Sequence, residues 1–166
     1  MIQAYGMSLL KNLDLTSMKK KNTNRHLILN RRATFDYTIE ETLTVGIELT
    51  GAEVKSLRMG HGDLNGSYVT VKDGELFLIN ASVHGTNGIV INDQDKTRSR
   101  KILAKRKEIN HLIEKKTQGR TIIPLEIYSG GRFIKVKIGL GKGKKNYDKR
   151  QVIKKRDIER SINNFK

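Results

Sequence analysis

Apolar and polar side chains alternate over residues 35–49, where the odd positions from Phe35 onward are apolar and Glu41 breaks the pattern. Alternation of this kind is typical of a β-strand with one buried face. Gly46 lies inside the segment, and a glycine weakens a strand locally and tolerates a bulge. We therefore predict one bent strand or two strand segments here.

A β-hairpin is predicted where two alternating segments flank an Asp-Gly pair. Residues 67–72 and 75–82 lie on either side of Asp73-Gly74. Asp-Gly is a strong hairpin signal because both central positions of the turn need positive φ.

A second hairpin is predicted from residues 121–128 and 133–140, which flank the glycine-rich residues 129–131. Its second strand alternates apolar residues with Lys135 and Lys137. One face of that strand is therefore cationic.

Helical spacing of apolar residues predicts two helices, over residues 52–59 and 97–117. Residues 84–96 are rich in Gly, Asn and Asp and have no period, so we predict a mobile loop. Antiparallel hairpins dominate the local connections, which excludes a doubly wound parallel sheet. The pattern favours a mainly β fold, a small antiparallel Greek-key barrel of OB type with two or three helices and a basic C-terminal tail.

The charge balance points to a polyanionic partner. Lys and Arg number 33 against 17 Asp and Glu, giving a net charge of +16, and such an excess attracts polyanions. A membrane partner is disfavoured because no run of about 20 apolar residues is present. No signal-peptide pattern is found, so we expect a cytoplasmic location.

Three segments differ in composition. We expect residues 1–24 to be a disordered N-terminal extension, residues 25–141 to form the RNA-binding barrel, and residues 142–166 to form the basic tail. Residues 141–166 contain ten Lys or Arg and three Asp or Glu. Too few apolar residues are present there to bury, so the tail is predicted to be disordered when free.

No pattern of residues favours catalysis. The chain has no cysteine, and its four histidines lack metal-ligand spacing. A nuclease using Glu53 and His61 has no motif in its favour, so we expect no enzymatic activity, no metal and no cofactor. Four carboxylates are instead expected to form salt bridges with basic partners: Glu40, Glu41, Glu48 and Glu53.

The strongest RNA-binding signal follows the last predicted strand. Lys142, Lys144 and Lys145 surround Gly143, so that backbone and ammonium groups can approach phosphates closely. Tyr147 adds a flat stacking surface, and this combination is typical of proteins that bind single-stranded RNA.

Four motifs together resemble the SmpB family (small protein B, the SsrA-binding protein), and the resemblance runs from about Asn30 to the C-terminus. They are Asn30-Arg31-Arg32-Ala33, Gly51-Ala52-Glu53-Val54-Lys55-Ser56-Leu57-Arg58, Thr97-Arg98-Ser99-Arg100-Lys101-Ile102-Leu103 and Gly143-Lys144-Lys145-Asn146-Tyr147-Asp148-Lys149-Arg150.

The resemblance implies a monomeric partner of transfer-messenger RNA (tmRNA, or SsrA RNA) in trans-translation. The barrel would hold the tRNA-like domain, and the complex would enter the A site of a stalled bacterial ribosome. The tail would become helical in the empty mRNA channel, against 16S ribosomal RNA. Elongation factor Tu and alanyl-tRNA synthetase would act indirectly, through tmRNA. The alternative is a ribosomal or initiation-factor-like OB protein that binds ribosomal RNA permanently.

The resemblance also assigns site residues. The RNA-binding set is Asn30, Arg31, Arg32, Glu53, Lys55, Arg58, Arg98, Arg100, Lys101, Leu103, Lys135, Lys142, Gly143, Lys144 and Lys145. The set for the decoding site and mRNA channel is Tyr147, Asp148, Lys149, Arg150, Lys154, Lys155 and Arg156. Thr44 and Lys96 depart from the family pattern, which usually has Glu and Pro there.

Overall fold

The computed structural model describes residues 24–86 and 88–164. The predicted N-terminal extension, residues 1–24, therefore lies outside the described residues except for Asn24, which begins a strand that the sequence pattern did not predict. The elements are β1 (Asn24–Leu29), α1 (Ala33–Asp36), β2 (Tyr37–Ile47), α2 (Gly51–Arg58), β3 (Gly62–Asp63), β4 (Tyr68–Lys72), β5 (Glu75–Ile79), β6 (Ser82–Val83), α3 (Asp93–Lys96), β7 (Arg100–Leu103), α4 (Arg106–Thr117), β8 (Thr121–Gly130), β9 (Phe133–Gly143) and α5 (Asn146–Asn164).

Seven strands form one antiparallel sheet in the order β1-β8-β9-β2-β7-β5-β4, and β3 pairs with β6. Cα atoms of β4 come within 8 Å of those of β8, so the sheet curls round on itself. The prediction of a mainly antiparallel β fold with a few helices is confirmed. Both predicted hairpins are present as β4–β5 and β8–β9.

The inward faces of the strands and one side of each of two helices share a single core. Leu57 of α2 and Ile109 and Leu112 of α4 pack with strand residues such as Val136 and Leu76. In the β4–β5 turn both Asp73 and Gly74 have positive φ, 52° and 71°, as the Asp-Gly pair predicts. No helix within residues 24–86 and 88–164 is long and apolar enough to cross a membrane.

The irregularity in β2 is a bulge at Glu40. Ile39 pairs with Gly141 and Glu41 with Leu140, which leaves one extra residue on β2. Residues 37–47 form one strand, and its bulge lies at Glu40 and not at Gly46, which pairs in register with β9 and β7. Phe35, predicted to begin the strand, belongs to α1 instead.

The predicted helix over residues 97–117 is wrong in its first half, which forms strand β7. Ile102 pairs with Ile47 on one side and Leu76 on the other, and its side chain is fully buried. The helix α4 begins at Arg106, where the side chain of Glu108 accepts a hydrogen bond from the backbone N–H of Lys105 at 2.7 Å. Pairing with two neighbouring strands thus stabilises a strand here more than the local periodicity favours a helix.

Two further segments are more ordered than predicted. The loop expected over residues 84–96 contains a bridge between Thr86 and Ile89 and the short helix α3. Strand β9 continues to Gly143 because its last residues pair with Thr38 and Tyr37. The helix α5 follows, and the idea that the tail is disordered until it reaches the ribosome stays a prediction.

Candidate RNA interface

The outer face of β9 is the centre of the candidate interface. Ile134 and Val136 point into the core, so Lys135 and Lys137 point outward. Cross-strand pairing puts Tyr128, Lys135, Gly46 and Leu103 in one row across β8, β9, β2 and β7. Tyr128 is buried, and we call the other outward residues of these strands, Gly46, Leu103, Lys135 and Lys137, the β9 face.

Two predicted site residues, Lys135 and Leu103, are thus brought together on the β9 face. Leu103 is 52% exposed. Gly46 lies between them, and a Cβ there would come within 3.2 Å of the Cβ of Leu103. Because Gly46 has no side chain, the β9 face is flat between Lys135 and Leu103.

A second row on the same face contains Glu126, Lys137 and Thr44. Lys137 Nζ lies 3.3 Å from Glu126 Oε1, and the hydroxyl of Tyr128 donates to Thr44 Oγ1 at 3.2 Å. Thr44, a departure from the family pattern, thus presents a neutral hydroxyl on a cationic face. Sequence reasoning left Lys137 out of the site, although the alternation already placed it beside Lys135.

Helix α2 carries two predicted cations to the start of β9. The helix begins with a capping box, in which Glu53 Oε2 accepts from the Thr50 N–H at 2.7 Å and Thr50 Oγ1 accepts from the Glu53 N–H at 3.3 Å. Lys55 and Arg58 are exposed near its C-terminal end. Arg58 Nη2 donates to the carbonyl of Arg132 at 3.0 Å, which ties α2 to the β8–β9 turn.

Glu53 lies at the centre of a buried ion-pair cluster. Its carboxylate accepts from Arg98 Nε at 2.9 Å, Arg98 Nη2 at 2.6 Å and Arg100 Nε at 2.8 Å. Burial works to raise the pKa of Glu53, but hydrogen bonds from Arg98 and Thr50 and the charge of Arg100 outweigh it and lower the pKa. The carboxylate is therefore ionised at neutral pH.

Arg100 is held by both the carboxylate and backbone carbonyls. Its Nη1 donates to Ala81 O at 2.6 Å, and its Nη2 donates to Lys96 O at 3.0 Å. Burial lowers the pKa of Arg100 against the opposing charge of Glu53, yet a guanidinium stays protonated in proteins. The side chains of Arg100 and Glu53 are only 1% and 2% exposed, so the assignment of these two residues as direct RNA contacts is corrected to a structural role.

Asn30 also has a structural position. It is 7% exposed, and its Nδ2 donates to the carbonyls of Pro124 at 2.9 Å and Leu64 at 3.3 Å. Its Oδ1 accepts from the Ala33 N–H at 3.1 Å. The side chain is thus occupied within the protein, and it fixes the chain that leads into α1.

The end of β9, helix α1 and the start of α5 meet at one place, which we call the junction (Thr34, Asp36, Lys144 and Lys149). The Lys144 N–H donates to Asp36 O at 2.9 Å, and its Nζ donates to Thr34 O at 2.8 Å. Lys149 Nζ lies 2.8 Å from Asp36 Oδ1. The start of the tail helix is thus tied to the barrel.

Several predicted cations surround the junction. Arg32 Nε lies 3.8 Å from Asp36 Oδ2, and the exposed residues nearby in the sequence are Arg31, Lys142, Gly143 and Lys145. Strand β9 has 11 residues and spans about 34 Å. Cationic groups therefore lie towards both ends of β9, near the β8–β9 turn and at the junction, whereas Gly139 and Gly141 between them are covered by the side chains of Leu125 and Ile39.

Lys101 also lies on the outer side of the sheet, where its Nζ is 2.6 Å from Glu75 Oε1.

In α5 the exposed residues of the decoding set are Tyr147, Asp148, Arg150 and Lys154, whereas the side chains of Lys155 and Arg156 lie outside the described residues. Tyr147 is 69% exposed. Ile158 and Ile162, which follow it at helical spacing, are exposed as well.

Salt bridges were predicted for four carboxylates, and three are present. Besides the pairs of Glu53, Glu40 bonds to Arg120 and Glu41 to His111, each at 2.9 Å. Within the described ranges, no group of three or more acidic residues or histidines could hold a metal ion.

Comparison with known proteins gives consistent matches. A family model described as SmpB protein matches residues 27–166. The chain is 46% identical over 138 residues to the SsrA-binding protein of Thermosipho africanus, covering 82% of this chain and 93% of that protein. It is 44% identical over 143 residues to the SsrA-binding protein of Bacillus subtilis, covering 86% and 92%. A chain in a solved structure described as "tmRNA-SmpB: a journey to the center of the bacterial ribosome" aligns with a TM-score of 0.60 and 42% identity, covering 71% of this chain and 84% of that one.

Proposed function

The chain belongs to the SmpB family, and from that membership we propose that it binds tmRNA and delivers the tRNA-like domain to the A site of stalled ribosomes in trans-translation. The single observation that carries the proposal is that β9 carries Lys135 and Lys137 on its outer face and ends at the junction from which α5 departs. One strand thus links an RNA-binding barrel, residues 25–141, to a tail of residues 142–166.

The barrel part of the proposal rests on electrostatics. Lys135 and Lys137 lie on the β9 face and Arg58 reaches the β8–β9 turn beside it, so these three cations can neutralise RNA phosphates. Phosphate contacts set position and register, while contacts to exposed bases set specificity. Cations at both ends of a strand of about 34 Å suit a folded RNA of the size of a tRNA-like domain better than a small ligand.

The tail part rests on the exposed side of α5. Tyr147, Ile158 and Ile162 remain exposed at helical spacing, and most helical stability in proteins comes from packing of an apolar face, which these residues lack. Contacts with ribosomal RNA would offset the entropy of ordering this helix only when no message fills the channel. An empty mRNA channel would thus be recognised because an occupied one excludes the tail.

The same proposal covers location, partners and chemistry. We assign the protein to the cytoplasm, where ribosomes act, and we assign it RNA binding without catalysis. Elongation factor Tu and alanyl-tRNA synthetase would reach the complex through tmRNA, and the protein would act as a monomer.

The first experiment measures affinity for the isolated tRNA-like domain of tmRNA as a function of salt. We expect tight binding that weakens with salt, and Lys135→Ala and Lys137→Ala should each reduce the slope of log K against log salt by about 0.9. Lys72→Ala, in the β4–β5 hairpin, is the control and should leave the slope unchanged. Equal affinity for that RNA and for a random hairpin of the same length would contradict the proposal.

The second experiment removes residues 148–166. The truncated chain should bind the tRNA-like domain almost as tightly as the full chain but fail to support peptide tagging on stalled ribosomes. Parallel loss of both activities would mean that the tail belongs to the barrel's RNA site. Constant co-sedimentation with ribosomes, stalled or not, would instead favour a permanent ribosomal-RNA-binding protein.

A further inference from the structure

Phe133 is a large aromatic residue that the core does not use. It begins β9, and its side chain is 67% exposed although the next residue, Ile134, is buried. Alternation puts Phe133 on the same outward side as Lys135, about 7 Å further along the strand. An exposed ring at the start of the cationic strand contributes little to folding, so its position suggests contact with a partner.

One cation contacts this ring, and two more lie on the elements beside it. The guanidinium of Arg132 lies 5.9 Å from the ring centroid. Arg58 reaches the same turn by donating to the Arg132 carbonyl at 3.0 Å. Lys135 follows on the outward side of β9, so positive charge lies on either side of an exposed aromatic surface.

The turn that carries Phe133 has a defined conformation. Gly131 has a φ of 73°, a value that suits glycine, and its carbonyl accepts a hydrogen bond from Ser129 Oγ at 3.2 Å. The pairing of Phe133 with Gly130 closes the hairpin. The backbone that carries the ring is therefore fixed before any partner binds, which reduces the entropy lost on binding.

We propose that Phe133 is a stacking platform for an unpaired base of the bound RNA, with the flanking phosphates held by Arg58 and Lys135. The proposal rests on the proposed function and names one contact within it. An aromatic ring between cations is the combination that binds single-stranded nucleotides, and specific RNA recognition uses bases in loops and bulges. An apolar protein segment fits less well, because it would remove water from three cations without neutralising them.

The experiment uses the absence of tryptophan from the chain. Phe133→Trp introduces a single indole, whose fluorescence is quenched when a nucleobase stacks on it. Titration with the isolated tRNA-like domain of tmRNA should quench the emission, and a fully paired RNA duplex of similar length should leave it nearly unchanged. Val90→Trp, at an 85% exposed position in the loop before α3, is the reporter control and should not be quenched.

A second set of variants separates stacking from charge. Phe133→Leu keeps an apolar side chain but removes the ring, and it should weaken binding of the tRNA-like domain about 5- to 100-fold. The salt slope should not change, whereas Lys135→Ala should reduce it by about 0.9. Phe133→Tyr should restore affinity to within about twofold of the natural chain.

The outcomes distinguish this inference from the proposed function. If the natural chain selects the tRNA-like domain over a random hairpin but Phe133→Leu binds equally well, or if Phe133→Trp binds without quenching, the stacking inference is overturned and the function stands. If the natural chain does not select that RNA, the proposed function itself fails.

Discussion

Replacing Glu53 by Gln tests how much the buried ion-pair cluster of Glu53, Arg98 and Arg100 stabilises the fold. The substitution preserves the shape of the side chain and removes its charge. Arg98 and Arg100 together direct three N–H groups at the carboxylate, at 2.6 to 2.9 Å. In the variant these donors face a neutral amide, one end of which is itself a donor.

The expected loss follows from those three hydrogen bonds. A hydrogen bond to a charged group contributes about 1.5 to 3 kcal/mol and a neutral one about 0.5 to 1.5 kcal/mol, so each bond weakens by about 1 kcal/mol. We expect Glu53→Gln to lower the free energy of unfolding by about 3 kcal/mol. Glu53→Ala should lower it by about 3 to 5 kcal/mol, because Arg100 would remain buried without its partner.

The assay is urea denaturation followed by far-ultraviolet circular dichroism. Glu75→Gln is the matched control, because Lys101 Nζ also lies 2.6 Å from a carboxylate oxygen there, but the two side chains are 37% and 44% exposed. An exposed pair contributes about 1 kcal/mol or less. Equal losses in the two variants, or a loss below about 1 kcal/mol for Glu53→Gln, would refute the reasoning.

The same variant should change the response to acid. The pKa of Glu53 in the folded protein lies below its ordinary value of 4.5. Its contribution to stability is therefore fully present above about pH 4.5 and is lost as the pH falls through the lowered pKa. Glu53→Gln should flatten the decline of stability below pH 4.5, and an unchanged decline would show that other carboxylates account for it.

Three other substitutions should separate structural from functional residues. Asn30→Ala should lower the free energy of unfolding by about 2 to 4 kcal/mol because its buried backbone partners lose their hydrogen bonds; a loss of RNA affinity without a loss of stability would make Asn30 a direct contact. Gly141→Ala should destabilise the barrel by about 1 to 3 kcal/mol in a thermal melt, because the new Cβ would lie 2.6 Å from the carbonyl oxygen of Thr38. Gly143→Ala is the control and should be neutral, because a Cβ at Gly143 meets nothing within 4 Å. Tyr147→Ala, at an exposed position, should leave stability within about 0.5 kcal/mol and reduce peptide tagging more than affinity for the tRNA-like domain; equal reductions would count against a role in the ribosome.

Features that depend on neighbouring residues could be predicted from the sequence. The Asp73-Gly74 turn requires positive φ at two adjacent positions, and few other dipeptides supply it. The alternation around Lys135 reports one buried and one exposed face, so it predicts both the last strand and the cationic side of the candidate interface. The four separated motifs that resemble the SmpB family can be recognised from the order of residues alone, and they identified the family.

Other features were decided by contacts between distant parts of the chain. Ile102 and Leu103 have helical periodicity with the residues that follow, yet they form a strand because β2 and β5 supply its pairing partners. Glu53 and Arg100 look like surface charges in the sequence. They are 47 residues apart along the chain, and the fold buries them in contact with each other, so that each charge compensates the other. Local propensities differ by about 1 kcal/mol per residue or less, whereas sheet pairing, burial and ion pairing act together over many residues. The tertiary structure therefore decided which charges lie on the outer side of the sheet and which are buried and hold the barrel together.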